Sequence, residues 1–188
     1  MQRNPMKCRK LSVVVLSAFL TLGAAQAGAQ VMVGGAAMYP SKDIVDNAVN
    51  SKDHTTLVAA VKAAGLVDTL KSKGPFTVFA PTNDAFSQLP EGTVSTLLKP
   101  ENKQALTKVL TYHVISGRHS AASLQKDIQS GNGRAVLKTV EGEPITATAS
   151  GDTIMLTDEK GGHARVTIAD VNQSNGVIHV VDKVLLPN

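Results

Sequence analysis

Short apolar runs that alternate with turn-forming residues fill the second half of this sequence. The residues between the runs include Glu-Gly-Glu-Pro, Ser-Gly-Asp and Asn-Gln-Ser-Asn-Gly, and turns prefer these residue types. Such runs are too short for most helices and predict antiparallel strands. The predicted strands are Ala135–Val140, Ile145–Ala149, Thr153–Thr157, His163–Ile168 and Val177–Leu186.

The first half has the spacing of amphipathic helices instead. Ser41 can cap a short helix that extends to Asn50, and the Gly- and Ala-rich residues 30–39 before it are predicted to form a flexible arm. Two later segments place apolar residues on one helical face, namely Leu57, Val61 and Ala64, and then Leu106, Val109, Leu110 and His113. Helices in the first half and strands in the second indicate the α+β class.

One stretch, GPFTVFAPTNDAF from Gly74 to Phe86, contains three of the six aromatic residues of the chain. It predicts a strand at Phe76–Ala80, followed by a helical turn that Thr82 or Asn83 can cap. Phe76 and Phe79 are three positions apart, so on one strand their side chains face opposite sides of the sheet. We interpret the cluster as part of the folding core and not as a catalytic loop.

The first 29 residues have the parts of a secretory signal peptide. Four basic residues lie within the first ten, the mostly apolar run Leu11–Gly23 follows, and the small residues after it offer a cut behind Ala27 or Ala29. The run is shorter than the roughly 20 residues that a membrane-spanning helix needs. We therefore expect cleavage, with no membrane span afterwards, and secretion to the periplasm or the extracellular medium.

Removal of this segment changes the charge of the chain. The whole sequence has 19 basic and 15 acidic residues, and the four basic residues in excess all precede residue 11. Nucleic-acid binding requires a surplus of Lys and Arg that displaces counterions, so no nucleic-acid partner is expected. Cys8, the single cysteine, also lies in the signal peptide, which excludes a disulfide or a thiolate site from the mature chain.

The remaining candidate chemistry does not predict an enzyme. The sequence has no HExxH zinc motif, no GxSxG serine elbow and no glycine-rich phosphate loop, so neither a catalytic residue, a metal nor a cofactor is expected. His113 lies at the end of an apolar helical face, and His179 interrupts the apolar run Val177–Val181. Both are interpreted as buried imidazoles held by hydrogen bonds.

Three motifs together resemble the fasciclin (FAS1) domain family. GPFTVFAPTNDAF is similar to the first signature box of that family, Tyr112-His113 to its Tyr-His motif, and NGVIHVVDKVLLP, from Asn175 to Pro187, to its second box. The resemblance covers about residues 40–188 and implies a β-wedge or sandwich of short antiparallel strands packed with a layer of helices. It marks Phe76, Phe79, Phe86, Asn175, Gly176 and His179 as the structural motif residues.

The resemblance implies that the protein is a non-enzymatic, secreted interaction module, which serves adhesion or association with a matrix or cell surface. Its adhesion motifs fall on Tyr112-His113 and on Asp170-Val171, where Val replaces the Ile of some family members. The partner would be a protein or a cell-surface or matrix component. The alternative is a carrier of a small apolar, pigment- or lipid-like ligand in a groove between sheet and helices, lined by residues such as Val114, Ile115, Val177 and Ile178.

Overall fold

A computed structural model describes residues 30–188 of the chain. The predicted signal peptide, residues 1–29, lies outside the described residues. Within residues 30–188, no helix combines the length and the apolar character that crossing a membrane requires.

Seven short α-helices lie mostly in the first two thirds of the described chain. They are α1 (Ile44–Ala48), α2 (Thr55–Ala64), α3 (Val67–Lys71), α4 (Asn83–Ser87), α5 (Thr93–Leu97), α6 (Lys103–Tyr112) and α7 (Ala121–Ser130). Single turns of 3₁₀ helix precede α2 and α6. The caps of α1 and α4 show how side chains start these helices. Asp43, and not the predicted Ser41, accepts the N–H of Asp46, and of the two predicted caps Thr82 and Asn83 it is Thr82 that accepts the N–H of Ala85.

The strands form a two-stranded hairpin and a seven-stranded sheet. They are β1 (Val31–Val33), β2 (Ala36–Met38), β3 (Phe76–Pro81), β4 (Val114–Ser116), β5 (Arg134–Lys138), β6 (Pro144–Ser150), β7 (Thr153–Thr157), β8 (His163–Gln173) and β9 (Gly176–Val181). The order in the large sheet is β4-β3-β9-β8-β7-β6-β5. The edge strands approach each other, since the N–H of Val140 donates to the carbonyl of Val114 at 2.8 Å, and the sheet curls nearly into a barrel.

Two interior strands of the large sheet form a parallel pair that the sequence did not predict. β3 and β9 are parallel and in register from Phe76 opposite Gly176 to Pro81 opposite Val181, whereas all other neighbours in the sheet are antiparallel. The fold is therefore α+β, as predicted, but its sheet is mixed. Both central strands are almost wholly apolar, as expected where helices or strands cover both faces of a strand.

Two apolar clusters lie on opposite faces of β3, and the phenylalanines divide between them as predicted. Phe76 packs against the cluster formed with the helices α1, α2, α3 and α6, and Phe86 folds back into the same cluster. Phe79 belongs to the other cluster, where the strands β5–β8 enclose the apolar side of α7. A single strand thus anchors both halves of the core.

The segment predicted as a flexible arm over residues 30–39 has a defined structure instead. Residues 31–38 form the hairpin β1–β2, in which Val33 and Met38 are 3% exposed and belong to the first cluster. Gly34 and Gly35 form the turn with positive φ angles of 58° and 73°. The many small residues of this segment suggested a flexible chain. The Gly-Gly pair instead forms a hairpin turn, and two apolar side chains pack the hairpin against the core.

Helix α7 was also missed by the sequence analysis. Its large apolar residues Leu124 and Ile128 are four positions apart and at most 1% exposed, while the rest of the helix consists of two alanines and polar residues. Ser120 caps the helix by accepting the N–H of Ser123 at 3.2 Å. The helical spacing was present, but two apolar residues give a weak periodic signal.

Truncation of Phe79 tests whether this side chain stabilises the core. Phe79 is 0% exposed, and its replacement by Ala removes most of a large buried ring, so Phe79→Ala should lower the free energy of unfolding by about 3–5 kcal/mol. Val136→Ala is the matched control, because Val136 is 68% exposed on β5 and its truncation should cost less than about 0.5 kcal/mol. Equal urea midpoints for the two variants would contradict the role of Phe79.

Candidate functional site

The three sequence motifs lie side by side in the structure. The first signature box supplies β3, the second supplies β9, and Tyr112-His113 leads directly into β4 on the other side of β3. The backbone N–H of Phe79 donates to the carbonyl of His113 at 2.9 Å, which joins the Tyr-His motif to the first box. Motifs far apart in sequence therefore form one continuous region of three neighbouring strands.

Asn175 and Gly176 connect the start of β9 to the helices. Asn175 is 7% exposed, and its side chain accepts the N–H of Ile44 at 3.1 Å and donates to the carbonyl of Leu70 at 2.7 Å. A Cβ atom on Gly176 would lie 2.1 Å from the carbonyl oxygen of Phe76, so only glycine permits this approach of β9 to β3. The two residues thus hold the start of β9 against β3 and the helices.

His179 is fully buried beside Phe79, with 5.7 Å between the ring centroids. Its Nε2 donates to the carbonyl of His119 at 2.8 Å, and its Nδ1 accepts the N–H of Asp170 at 3.3 Å. Both ring nitrogens are therefore used by the backbone, one in the chain before α7 and one in β8.

Asp170 lies where β8 is irregular, since the pairing with β9 shifts register between Ile168 and Val171. Its backbone has a positive φ of 56°, a conformation that few non-glycine residues other than Asn and Asp adopt readily. The carboxylate oxygen Oδ1 accepts the N–H of Ala121, the first residue of α7, at 2.7 Å. Asp170 thus fixes the start of α7 on the bulge of β8, and its side chain is half-buried.

His113 ends α6 and is buried at 3% exposure. Its Nδ1 donates to the carbonyl of Val109 at 2.8 Å, and its Nε2 accepts the N–H of Leu185 at 3.0 Å. The imidazole therefore links the helical layer to the chain that follows β9.

Two residues predicted as adhesion candidates have no accessible surface. Tyr112 is 0% exposed in the second cluster, where its hydroxyl donates to the carbonyl of Pro144 at 2.9 Å, and Val171 is 1% exposed in the first cluster. The family resemblance made Tyr112 an adhesion candidate, but the ring lies among apolar side chains and its hydroxyl bonds a carbonyl on β6, so it is buried. Of the four candidates, Asp170 alone is partly exposed.

Burial determines the protonation states in this region. Desolvation lowers the pKa of His113 to about 4 and also lowers the pKa of His179, so both imidazoles are neutral at pH 7. Burial likewise raises the pKa of Tyr112 to about 12. Across residues 30–188, no group of three His, Cys, Asp or Glu side chains could hold a metal ion.

The sequence analysis missed Thr77, a buried polar residue near the start of β3. Its hydroxyl donates to the carbonyl of Gly117 at 2.7 Å and accepts the N–H of His119 at 2.8 Å. Together with His179, which bonds the carbonyl of His119, it holds both sides of the loop before α7. A polar residue between two apolar neighbours in a central strand was the available signal.

Comparisons with known proteins agree with these motifs. The sequence model of the fasciclin domain family matches residues 52–187, and the chain belongs to this family. It is 48% identical to protein sll1483 of Synechocystis over 156 residues, which cover 83% of this chain and 79% of that protein. It is 38% identical to the immunogenic protein MPB70 of Mycobacterium bovis, over 74% of this chain and 66% of that protein.

More distant relatives contain a domain like this one within a much longer protein. Human periostin is 32% identical over 136 residues, which make up 72% of this chain and only 15% of periostin. Among solved structures, a fasciclin domain pair from the insect cell adhesion molecule Fasciclin I matches with a TM-score of 0.69 at 18% identity, over 77% of this chain and 51% of that one.

The pH dependence of stability tests the burial of His113. The unfolded chain binds a proton on this imidazole below its ordinary pKa of 6.5, but the folded protein does so only below about 4. The neutral, buried His113 should therefore contribute its full stabilisation above pH 6.5. Between pH 6.5 and 4 this contribution should be lost, which lowers the free energy of unfolding by about 3 kcal/mol. The lowered pKa values of His54 and His179 act in the same direction.

NMR titration of the imidazole signals and urea unfolding at several pH values measure this effect. His113→Gln should be less stable at pH 7 by about 1–3 kcal/mol, because a backbone partner is left unpaired, and its pH slope between 6.5 and 4 should be smaller. A His113 titration midpoint near 6.5 in the folded protein would show that the ring is solvated.

Proposed function

We propose that this protein is a secreted, non-enzymatic interaction module that attaches to a protein or a matrix component at a cell surface. The observation that carries the proposal is that the buried polar side chains of the motif region are all committed to the backbone. His113, His179 and Thr77 each bond two backbone groups, and the imidazoles are neutral. Side chains held in this way stabilise a surface and are not poised for proton transfer.

The relatives support the same conclusion. The insect protein with the matching domain pair is named as a cell adhesion molecule, and periostin and the growth-factor-induced protein ig-h3 contain domains similar to this chain. The predicted signal peptide fits a protein that works outside the cytoplasm.

Asp170 is our candidate for a direct contact within the adhesion motifs. Its side chain is half-buried at the junction of β8 and α7, whereas Tyr112, His113 and Val171 are covered by the core. The three buried residues act by holding α6, β4 and β8 in place.

Sedimentation of the purified protein with the cell-envelope and matrix fractions of its native source tests the proposal. We expect the protein to bind one of these fractions, and Asp170→Asn to weaken binding several-fold at a nearly unchanged melting temperature. Asparagine retains an oxygen that can accept the N–H of Ala121 but lacks the charge.

Asp170→Ala serves as the control for structural damage, because it removes the acceptor altogether and should cost about 1.5–3 kcal/mol of stability. Absence of binding to every fraction would refute the interaction function. Full binding by Asp170→Asn would not contradict the interaction function, but it would show that Asp170 serves only to hold the start of α7.

A second candidate function, the binding of a small apolar ligand, is favoured by one cavity. A space of about 40 Å³ lies between α1, α2, α3, the hairpin β1–β2 and the sheet, and its lining residues are apolar except for His54 and Lys62. Ile178 of β9 lines it, but Val114, Ile115 and Val177, which were also predicted as liners, do not. A cavity this small accommodates only a few heavy atoms without movement of its walls.

His54 gives this cavity one polar group. The ring is 3% exposed, and its Nδ1 bonds the hydroxyl of Ser51 at 2.9 Å. The buried Nε2 makes no hydrogen bond of normal geometry. Burial lowers the pKa of His54, and the nearby backbone of Ala80 partly opposes this shift. An unpaired buried polar atom is costly, and a ligand with a hydroxyl or carbonyl group would satisfy it.

Solvent extraction and mass spectrometry of protein purified from its native source test this candidate. A stoichiometric small molecule with one polar group is expected, and it should be lost in a His54→Phe variant expressed in the same source. An empty native protein, or equal retention by His54→Phe, would contradict ligand binding through His54.

A further inference from the structure

The helical layer covers only part of the large sheet and leaves one face of β5–β8 bare. Apolar residues of β5 and β6, such as Leu137 and Ile145, point toward α7 and are buried. The residues between them in sequence therefore point away from α7, and on β5 all of these outward residues are exposed. We call this outward side of β5, β6, β7 and the first half of β8 the bare face.

Threonine and basic residues dominate the bare face. Strand pairing aligns its members in two rows across the four strands. One row is Arg134, Thr148, Met155 and Arg165, and the other is Val136, Thr146, Thr157 and His163, with Lys138 beyond the second row. None of these outward side chains is acidic, although the chain outside the predicted signal peptide has equal numbers of acidic and basic residues.

The three permanent cations of this face have no carboxylate partner. The ion pairs formed within residues 30–188 do not include Arg134, Lys138 or Arg165. The nearby turn carries Glu141 and Glu143, but both pair with Lys108. Asp182, which lies beside β8, uses its carboxylate to accept the backbone N–H of Arg165 at 2.7 Å.

The positions of the cations suit an extended ligand. Arg134 and Arg165 are three strand spacings apart, and Arg134 and Lys138 are four residues apart on one strand, so each pair of backbone positions is separated by about 14 Å. Thr148 and Met155 lie between the two arginines, and Thr146 and Thr157 lie in the next row, so threonine hydroxyls that can donate and accept hydrogen bonds occur in both rows. Like charges at these distances repel one another weakly, and a polyanion would remove that repulsion.

We propose that the bare face binds an acidic polysaccharide, whose carboxylate or sulfate groups pair with Arg134, Lys138 and Arg165. This inference rests on the proposed interaction function and names a partner class for it. The threonines of the two rows match the hydroxyl groups of sugars, and neither row contains a Phe, Tyr or Trp ring on which a neutral sugar could stack. A membrane surface fits less well, because Val136 and Met155 are the only large apolar side chains in the two rows.

Binding to polygalacturonate, dextran sulfate and neutral dextran tests the proposal, with the purified protein at low and at physiological salt. We expect binding to the two polyanions that weakens as salt rises, and no binding to neutral dextran. The triple variant Arg134→Gln, Lys138→Gln and Arg165→Gln should lose at least about tenfold in affinity, since each cation supplies a separate contact.

The matched control is the triple variant Lys52→Gln, Lys73→Gln and Lys126→Gln, which changes the net charge equally at exposed sites away from the bare face. It should bind within about twofold of the unchanged protein, and both triple variants should keep its melting temperature because surface substitutions have small effects. Equal loss in the two variants would overturn the proposal, because only net charge would then matter. Absence of binding to either polyanion would also overturn it.

Two further comparisons separate this inference from its alternatives. Tighter binding to polyglutamate than to polygalacturonate would assign the face to an acidic polypeptide and refute the polysaccharide. If the triple variant at the bare face still sediments with the native envelope fraction as the unchanged protein does, the interaction function stands and the bare face is not its site. Binding to polyanions without any binding to native fractions would support a polyanion site on the bare face and refute attachment of the protein to a cell surface.

Discussion

The parallel pairing of β3 with β9 is the contact on which the rest of this structure depends. It brings together segments one hundred residues apart in sequence, and it needs the glycine at position 176 because any side chain there would collide with the backbone of Phe76. The helices pack on one face of this pair and α7 with its strands on the other. The two apolar clusters therefore share a common wall, and a change in the pairing would affect both.

Buried imidazoles then connect the parts that the central pair brings together. His113 uses Nδ1 as the donor and Nε2 as the acceptor, whereas His179 uses the nitrogens in the opposite sense. Each ring holds two backbone segments that belong to no common strand pair or helix. A neutral histidine suits such a junction, because one ring offers both a donor and an acceptor at a fixed distance.

The sequence predicted those features that depend on local pattern and on motif resemblance. The α+β class, the opposite directions of Phe76 and Phe79, the cap at Thr82 and the burial of His113 were all visible in short segments. The parallel partner of β3, the burial of Tyr112 and the contact of Asp170 with α7 depend on residues distant in sequence, so no local pattern encodes them. The hairpin β1–β2 was missed because alanine and glycine give little signal of burial.

The position of β9 in chain order has a consequence for how the protein reaches its folded state. Of the described strands it is the last in the sequence, yet it occupies an interior place in the sheet. While the chain is being synthesised, β3 lacks its parallel neighbour until β9 has been added, and neither cluster is complete before then. Contacts of such large sequence separation form slowly, because the loop between them must be closed first. The two halves of the core should therefore become stable together and late, when β9 inserts between β3 and β8.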